Sequence, residues 1–292
     1  MPSGPSQRTI SRYDLWSAGL TVASLATIVC ERERIAFGLL ALAVAAKGYP
    51  IVILPLAVVY VWRVSDQRKA IGCLAIFATV LFACVLPFVI LAPHGIWSSI
   101  HGQISRPLEI ESLGASILLA AHQLTGTHLS LIVSHGSENL GGHSAAQFAS
   151  LLTLLQIVAL LFVWLSFVRG AATRQRLLVA STAAVCAFVV FDRVLSPQYL
   201  IWLAPLVVAL PGRRALVATA LLALAMGVTQ IWIPALFWQL TRFETVPSWA
   251  VLGRDLVLLA LLVTVAWPGM PIRRSLPIAQ RQPETASTAT GL

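Results

Sequence analysis

The sequence predicts an all-α protein: a multi-pass transmembrane helical bundle with short or broken helices and extracytoplasmic loops. Three observations carry the prediction. Of 292 residues, 58% are hydrophobic and only 11% charged, whereas soluble domains carry about 25% charged residues. The apolar residues fall into runs that approach the width of a bilayer. The basic residues behind the net charge of +9 lie in small clusters between those runs, which is the usual mark of cytoplasmic loops. Nucleic acid, which needs one basic patch, is excluded as a partner, and the lipid bilayer is expected as one.

Taken in order, residues 1–12 are polar and lack the apolar core of a signal peptide. A short first span covers 15–30 and is followed by Glu31-Arg32-Glu33-Arg34. Residues 35–62 are apolar but interrupted by Lys47-Gly48-Tyr49-Pro50, with Arg63, Arg68 and Lys69 behind them. Residues 70–92 span, and a mixed external region over 93–144 holds weaker apolar pieces at 113–124 and 129–133. The run 145–168 meets Arg169, Arg174 and Arg176. Runs 177–191 and 199–210 flank Asp192-Arg193, Arg213-Arg214 follow, and 215–233 and 250–267 are the last spans. The domain reading is an extracytoplasmic or truncated segment over 1–14, a transmembrane domain over 15–268, and a disordered cytoplasmic tail over 269–292. Cys30, Cys73, Cys84 and Cys186 have no metal-like spacing and read as small buried hydrophobes.

Placing Arg63 to Lys69, Arg169 to Arg176, Arg213-Arg214 and Arg273-Arg274 inside gives an alternating path without contradiction. Arg32 and Arg34 then fit inside too. That makes 35–62 a hairpin of two half-length arms, in preference to one long kinked span. The tryptophans read as an interfacial belt: Trp16, Trp97, Trp202, Trp232, Trp238 and Trp249 near outer ends, Trp62, Trp164 and Trp267 near inner ends. The scheme leaves Arg8 and Arg12 outside with nothing to export them, which a start inside a longer gene explains.

The polar groups that need a reason converge on the outer side. Asp192 and Arg193 are the only charges between Arg176 and Arg213, and charge at the mouth of two apolar runs is costly unless it faces protein or water. Ser196-Pro197 then breaks the helix and leaves Gln198 and Tyr199 to point hydrogen-bonding groups into the gap. A capped turn with a surface ion pair is the plainer reading. Lys47 stands beside a second break, where Gly48 and Pro50 open the backbone and Tyr49 offers a hydroxyl. The lysine either snorkels or receives a phosphate or pyrophosphate headgroup. Arg106-Pro107-Leu108-Glu109-Ile110-Glu111-Ser112 carries two carboxylates and a guanidinium on an external loop, suited to sugar hydroxyls or acid–base work, or else an amphipathic surface loop. The six histidines, His94 to His143, share that region without the close spacing of a helical metal site. Residues 136–142 read as a flexible glycine-rich loop. No P-loop, thiol nucleophile motif or serine-hydrolase elbow is present.

Together these motifs resemble the GT-C class of integral-membrane glycosyltransferases. The nearer likeness is to the branch that holds polyprenyl-phosphate-mannose-dependent mannosyltransferases. The likeness rests on the Lys-x-Tyr-Pro break (Lys47 to Pro50) after Gly38 to Leu42, on Ser196-Pro197-Gln198-Tyr199 before a Trp-containing span, on Arg106 to Ser112, and on Arg12-Tyr13-Asp14 at the first span. It covers about residues 12–267. The resemblance implies an enzyme that takes a sugar, mannose foremost, from a polyprenyl-phosphate donor and passes it to a lipid or glycan acceptor outside the cell membrane, with no cofactor. It implies inversion in one displacement, with a carboxylate as base. Lys47 and Arg193 would meet the donor phosphate, with Tyr49, Arg106, Asp192, Gln198 and Tyr199 binding substrate beside them. The family's catalytic carboxylate sits in a first outer loop that this chain lacks, so Asp14 and Glu111 stand as the nearest outer-side substitutes. The alternatives are a transporter or lipid-handling protein built on paired broken helices, and an inactive fragment or partner subunit of a glycosyltransferase.

Overall fold

In the computed structural model the described residues are 13–267; the segment 1–12, with Arg8 and Arg12, and the tail from 268, with Arg273 and Arg274, lie outside them. Helices α1 (Tyr13–Val29) and α2 (Glu33–Ala46) pack closely. Ser17, Thr21 and Ser24 share one buried face of α1, spaced four and three residues apart. Ser24 Oγ donates to Ala36 O at 2.8 Å and Ser17 Oγ to Ala43 O at 3.3 Å. Small residues and interhelical hydroxyl bonds are the means by which helices associate in lipid, where apolar burial between them gains little.

After Ala46 the helix breaks. Pro50 disfavours helix at the residue before it, Lys47 is extended (φ −156°, ψ 132°), and the chain re-enters through a 3-10 turn, Tyr49–Ile53, into α3 (Leu54–Val64). Lys69, at the start of α4 (Gln67–Leu91), pairs with Glu33 at 2.8 Å. The start of α2 and the end of α3 therefore lie on the same side, and residues 35–62 form a hairpin with Lys47 at its tip.

The links that carry the basic clusters gather at one end. Arg63 Nη1 donates to Gly170 O at 2.8 Å, Arg174 pairs with Glu31, and Arg214 Nη2 donates to Trp267 O at 2.7 Å. Between this basic end and the opposite end run α7 (His143–Arg169), α8 (Arg174–Val190), α10 (Arg213–Thr229) and α12 (Thr245–Ala266). The shorter α9 (Leu200–Val208) starts after a 3-10 turn, Pro197–Tyr199. Helix α8 is the centre of the bundle: Ser181 to Ala187, Val189 and Val190 are all buried. A helix apolar on every side belongs inside.

Three helices, α4, α7 and α12, are long and apolar enough to cross a membrane. Their outward faces are apolar: Phe82, Phe88 and Ile90 on α4 and Leu154, Ile157 and Phe162 on α7 are each at least half exposed. Apolar cover on this scale marks a lipid or partner surface.

The described residues are overwhelmingly helical, as the all-α reading expects, but the 93–144 region is more ordered than its sequence predicts. Helices α5 (Pro93–Ile104) and α6 (Leu113–Thr125) are joined by a small antiparallel sheet ordered β1-β3-β2, with β1 (Leu108–Glu109), β2 (Ser130–Ser134) and β3 (Ser137–Gly141). The stretch read as a flexible loop over 136–142 is mostly β3. His135 and Gly136 both have positive φ (54° and 73°), as a two-residue hairpin turn requires. Buried Asn139 donates from Nδ2 to Ser134 O at 3.1 Å and Ser137 O at 3.0 Å, so the turn holds itself shut. Short strands rich in Ser and Gly have no periodicity to reveal them. Two further readings are corrected. Cys30 is exposed, where burial was expected. Trp202 and Trp232 are buried, which removes them from the belt, and Trp164 is half-buried with its Nε1 donating to Val52 O at 3.0 Å, while Trp16, Trp62, Trp97, Trp238, Trp249 and Trp267 are exposed.

Gly114 tests how tightly α6 sits. A Cβ there would meet Leu152 Cδ1 at 3.1 Å and Leu108 Cδ1 and Phe148 Cβ at 3.2 Å, whereas at Gly38 the nearest atom is Ile76 Cγ2 at 3.9 Å. Gly114→Ala is expected to destabilise by about 1–3 kcal/mol through overpacking. Gly38→Ala is expected to stabilise by about 0.5 kcal/mol, because alanine suits a helix interior better. Thermal melting in detergent reads both signs.

Candidate functional site

The two broken helices meet. Asp14, in the first turn of α1, is 1% exposed, and Lys47 at the hairpin tip pairs with its Oδ1 at 2.5 Å. The same oxygen accepts from Trp202 Nε1 at 2.8 Å. The Trp202 ring is sandwiched: Tyr49 stacks on it at 4.1 Å and 3°, Tyr199 at 4.1 Å and 20°. Tyr49 in turn shares a hydrogen bond with Thr21 at 3.2 Å. The Lys47 ammonium lies 5.0 Å from the Trp202 ring centre and 5.5 Å from that of Tyr199, within cation–π range. Its side chain keeps 30% of its surface open. A cation is thus fixed from below by a buried carboxylate and from the side by rings, with its outer face free to meet an anion.

Beside it stands a second group. Asp192 is half-buried and its Oδ1 accepts from Val194 N at 3.1 Å. Burial pushes its carboxyl up to about 6, against the pull of the Val194 amide and of Arg193 and Arg106. Arg193 donates from Nη2 to Thr153 Oγ1 at 2.8 Å and from Nη1 to the Arg106 carbonyl at 3.4 Å. The Arg193 carbonyl accepts from Glu109 N at 2.9 Å, and Arg106 Nη2 donates to His135 O at 3.2 Å. Asp14, Arg106, Glu109 and Asp192 all act electrostatically on Tyr199, so Tyr199 is where the two groups join. Gln198 occupies the 3-10 turn itself, half-buried.

Glu111 belongs to a third group deeper in the protein. It is 4% exposed, and its Oε1 accepts from Trp232 Nε1 at 2.8 Å. Its carbonyl accepts from Arg254 Nη2 at 2.5 Å. Arg254 pairs with Asp255 at 2.7 Å and lies 5.3 Å from the Trp232 ring centre, and both charged side chains are at most 1% exposed. This group clamps the segment that supplies Arg106 and Glu109 to the site.

Of the residues the sequence singles out, Asp14, Lys47, Tyr49 and Tyr199 come together, with Arg106, Asp192 and Arg193 beside them, while Glu111 sits in the buried clamp. Sequence reasoning missed Trp202 as a site residue, although its place three residues after Tyr199 puts both on one helical face. It also missed Arg254 and Asp255. The signal there was available: an Arg-Asp pair inside an apolar run is costly unless satisfied by the protein. Compared with known family models, curated proteins and solved structures, the chain matches none.

Two outcomes follow from these environments. The Asp192 carboxyl binds its proton more tightly folded than unfolded, so it favours the fold below about pH 4 and loses that contribution as pH rises through 6. Asp192→Asn should therefore raise stability at pH 8 by about 1 kcal/mol, discounted for partial exposure, and change little at pH 4, as read by melting in detergent. Arg254→Met leaves Asp255 buried without its cation and should cost about 3–5 kcal/mol, most of it recovered by adding Asp255→Leu.

Proposed function

We propose that the chain is a multi-pass membrane glycosyltransferase that moves a sugar, mannose foremost, from a polyprenyl-phosphate donor to a lipid or glycan acceptor on the extracytoplasmic side. The observation that carries the proposal is the half-open Lys47 ammonium, anchored by buried Asp14 and flanked by Tyr199 and Trp202. A cation beside stacked rings suits an anionic phosphate joined to an apolar chain or a sugar face. The apolar surfaces of α4, α7 and α12 support delivery of the donor through lipid.

In this reading the acceptor hydroxyl gives its proton to a carboxylate. Its oxygen attacks the anomeric carbon, and the carbon–oxygen bond to the phosphate breaks with its electron pair leaving on the phosphate. Lys47 and Arg193 take up the charge that grows there, and Gln198, Tyr49, Tyr199 and Arg106 orient donor and sugar. Asp192 suits the base best, being only half-buried, with its carboxyl pushed up to about 6 by burial. The burial of Asp14 and Glu111 suits anchoring. A second reading, a transporter or lipid-handling protein, draws on the same meeting of two broken helices.

Transfer of labelled mannose from polyprenyl-phosphate-mannose, in membranes expressing the chain, tests the first reading against the second. Lys47→Ala and Arg193→Ala should each lower transfer by about a hundredfold with the protein still resistant to carbonate extraction. The rate should climb through about pH 6 and lose that climb in Asp192→Asn. No transfer, with solute uptake into vesicles instead, rejects the enzyme and favours the transporter.

A further inference from the structure

Helix α4 begins at the basic end, with Arg68 and Lys69 in its first turn, and runs 25 residues to Leu91. At 1.5 Å per residue it rises about 37 Å, a little more than the roughly 30 Å of hydrocarbon in a bilayer. Its last turn therefore comes out at the opposite end, at the level of the headgroups. There the chain does not run on as one helix. Ala92 breaks it (φ −146°, ψ 59°), Pro93 takes the first position of a new helix, and α5 begins with no linker between.

No Asp, Glu, Lys or Arg occurs in α5. On a period of 3.6 residues Ile96, Trp97 and Ile100 fall on one face, with Gly95, Ser98 and Gly102 on the other. The two faces meet different surroundings. A Cβ on Gly102 would lie 3.9 Å from His135 Cδ2, so the polar face is turned toward the β2–β3 hairpin. The apolar face is open: Trp97 is 70% exposed and Ile100 50%. That open surface continues the end of α4, where Phe88, Ile90 and Leu91 are each more than half exposed.

An uncharged helix with so narrow a stripe would hold weakly to a membrane by itself, because such helices gain from basic residues on the polar face. Direct linkage to α4 removes that difficulty, since the tether keeps α5 at the boundary at high effective concentration. Trp97 suits that depth, where an indole buries its ring and keeps its N–H wet. We infer that α5 lies in the bilayer surface on the side of the candidate site, as an interfacial helix with Trp97 and Ile100 among the first carbons of the acyl chains and the hairpin standing on its polar face. The inference rests on the membrane reading of the chain. It gives the bilayer a part in the site, because Ser105 and Arg106 follow α5 directly and Arg106 Nη2 donates to the carbonyl of His135 in the hairpin turn at 3.2 Å. The segment that brings Arg106 to the site is held at one end by lipid and at the other by the clamp at Glu111.

The test is footprinting of the full chain in phosphatidylcholine vesicles that contain a phosphatidylcholine with a photoactivated carbene precursor near the start of one acyl chain, read residue by residue by mass spectrometry. Trp97 and Ile100 should be labelled together with Phe88 and Ile90, and Ser98 should not. Trp97→Glu puts a charge into the apolar face and should abolish labelling of Ile100 while Phe88 and Ile90 stay labelled. Ser98→Glu puts the same charge on the polar face and should leave all of that labelling in place. Labelling confined to α4, labelling of Ser98 equal to that of Trp97, or the same response in both variants overturns the interfacial helix and leaves the membrane reading intact. A chain unlabelled along α4 as well overturns both.

Discussion

The Asp14 carboxylate is the point on which the opposite end of the bundle turns. One oxygen receives the Lys47 ammonium and the Trp202 indole at once, and in so doing joins the start of α1, the hairpin tip and the head of α9. A buried charge costs several kcal/mol unless partners surround it. Once Asp14 is placed inside, Lys47 and Trp202 cannot be elsewhere. The stacking of Tyr49 and Tyr199 on the indole follows, and with it the alignment of the two helix breaks. What looks like a loose meeting of interrupted helices is one charge seeking its complement.

Around that point the protein uses polar contacts where a soluble fold would use apolar ones. The α1–α2 contact rests on serine hydroxyls against alanine carbonyls, the helix ends at the basic side are closed by arginines, and the β1 segment is clamped by Arg254 and Trp232 through Glu111. Apolar side chains meanwhile cover the outside of α4 and α7. The inversion is coherent for a chain in lipid, where burying a methyl gains little and leaving a carbonyl unmet costs much.

How much of this the sequence discloses depends on the range of the interaction. Helices announce themselves through run length, and breaks through Pro50 and Pro197, whose missing amides act on neighbouring residues. The basic clusters predict their shared end because charge at a membrane boundary obeys one rule wherever it occurs. Lys47, Tyr49 and Tyr199 are legible for the same local reasons, since each is a polar group beside a break. Trp202 is not, because an indole near a span end reads as a belt residue until its partner across 188 positions of sequence is known. The hairpin over 130–141 is equally silent: Ser, Asn and Gly in short strands carry no alternation, and only the positive φ at His135 and Gly136 reveals it. Glu111 reads as an external-loop carboxylate available for acid–base work, yet a buried tryptophan and arginine await it.

The clamp also bears on the order in which the protein is made. Helix α12 carries Arg254 and Asp255 near its middle, and an arginine at that depth costs about 2.5–3.5 kcal/mol when a helix enters a bilayer alone. The groups that receive it, Glu111 and Trp232, lie earlier in the chain and emerge from the ribosome first. The last of the described helices is therefore a poor starter and a good finisher. In a membrane, its entry would lean on a receptor that the rest of the protein has already assembled, and one ion pair would give assembly a direction.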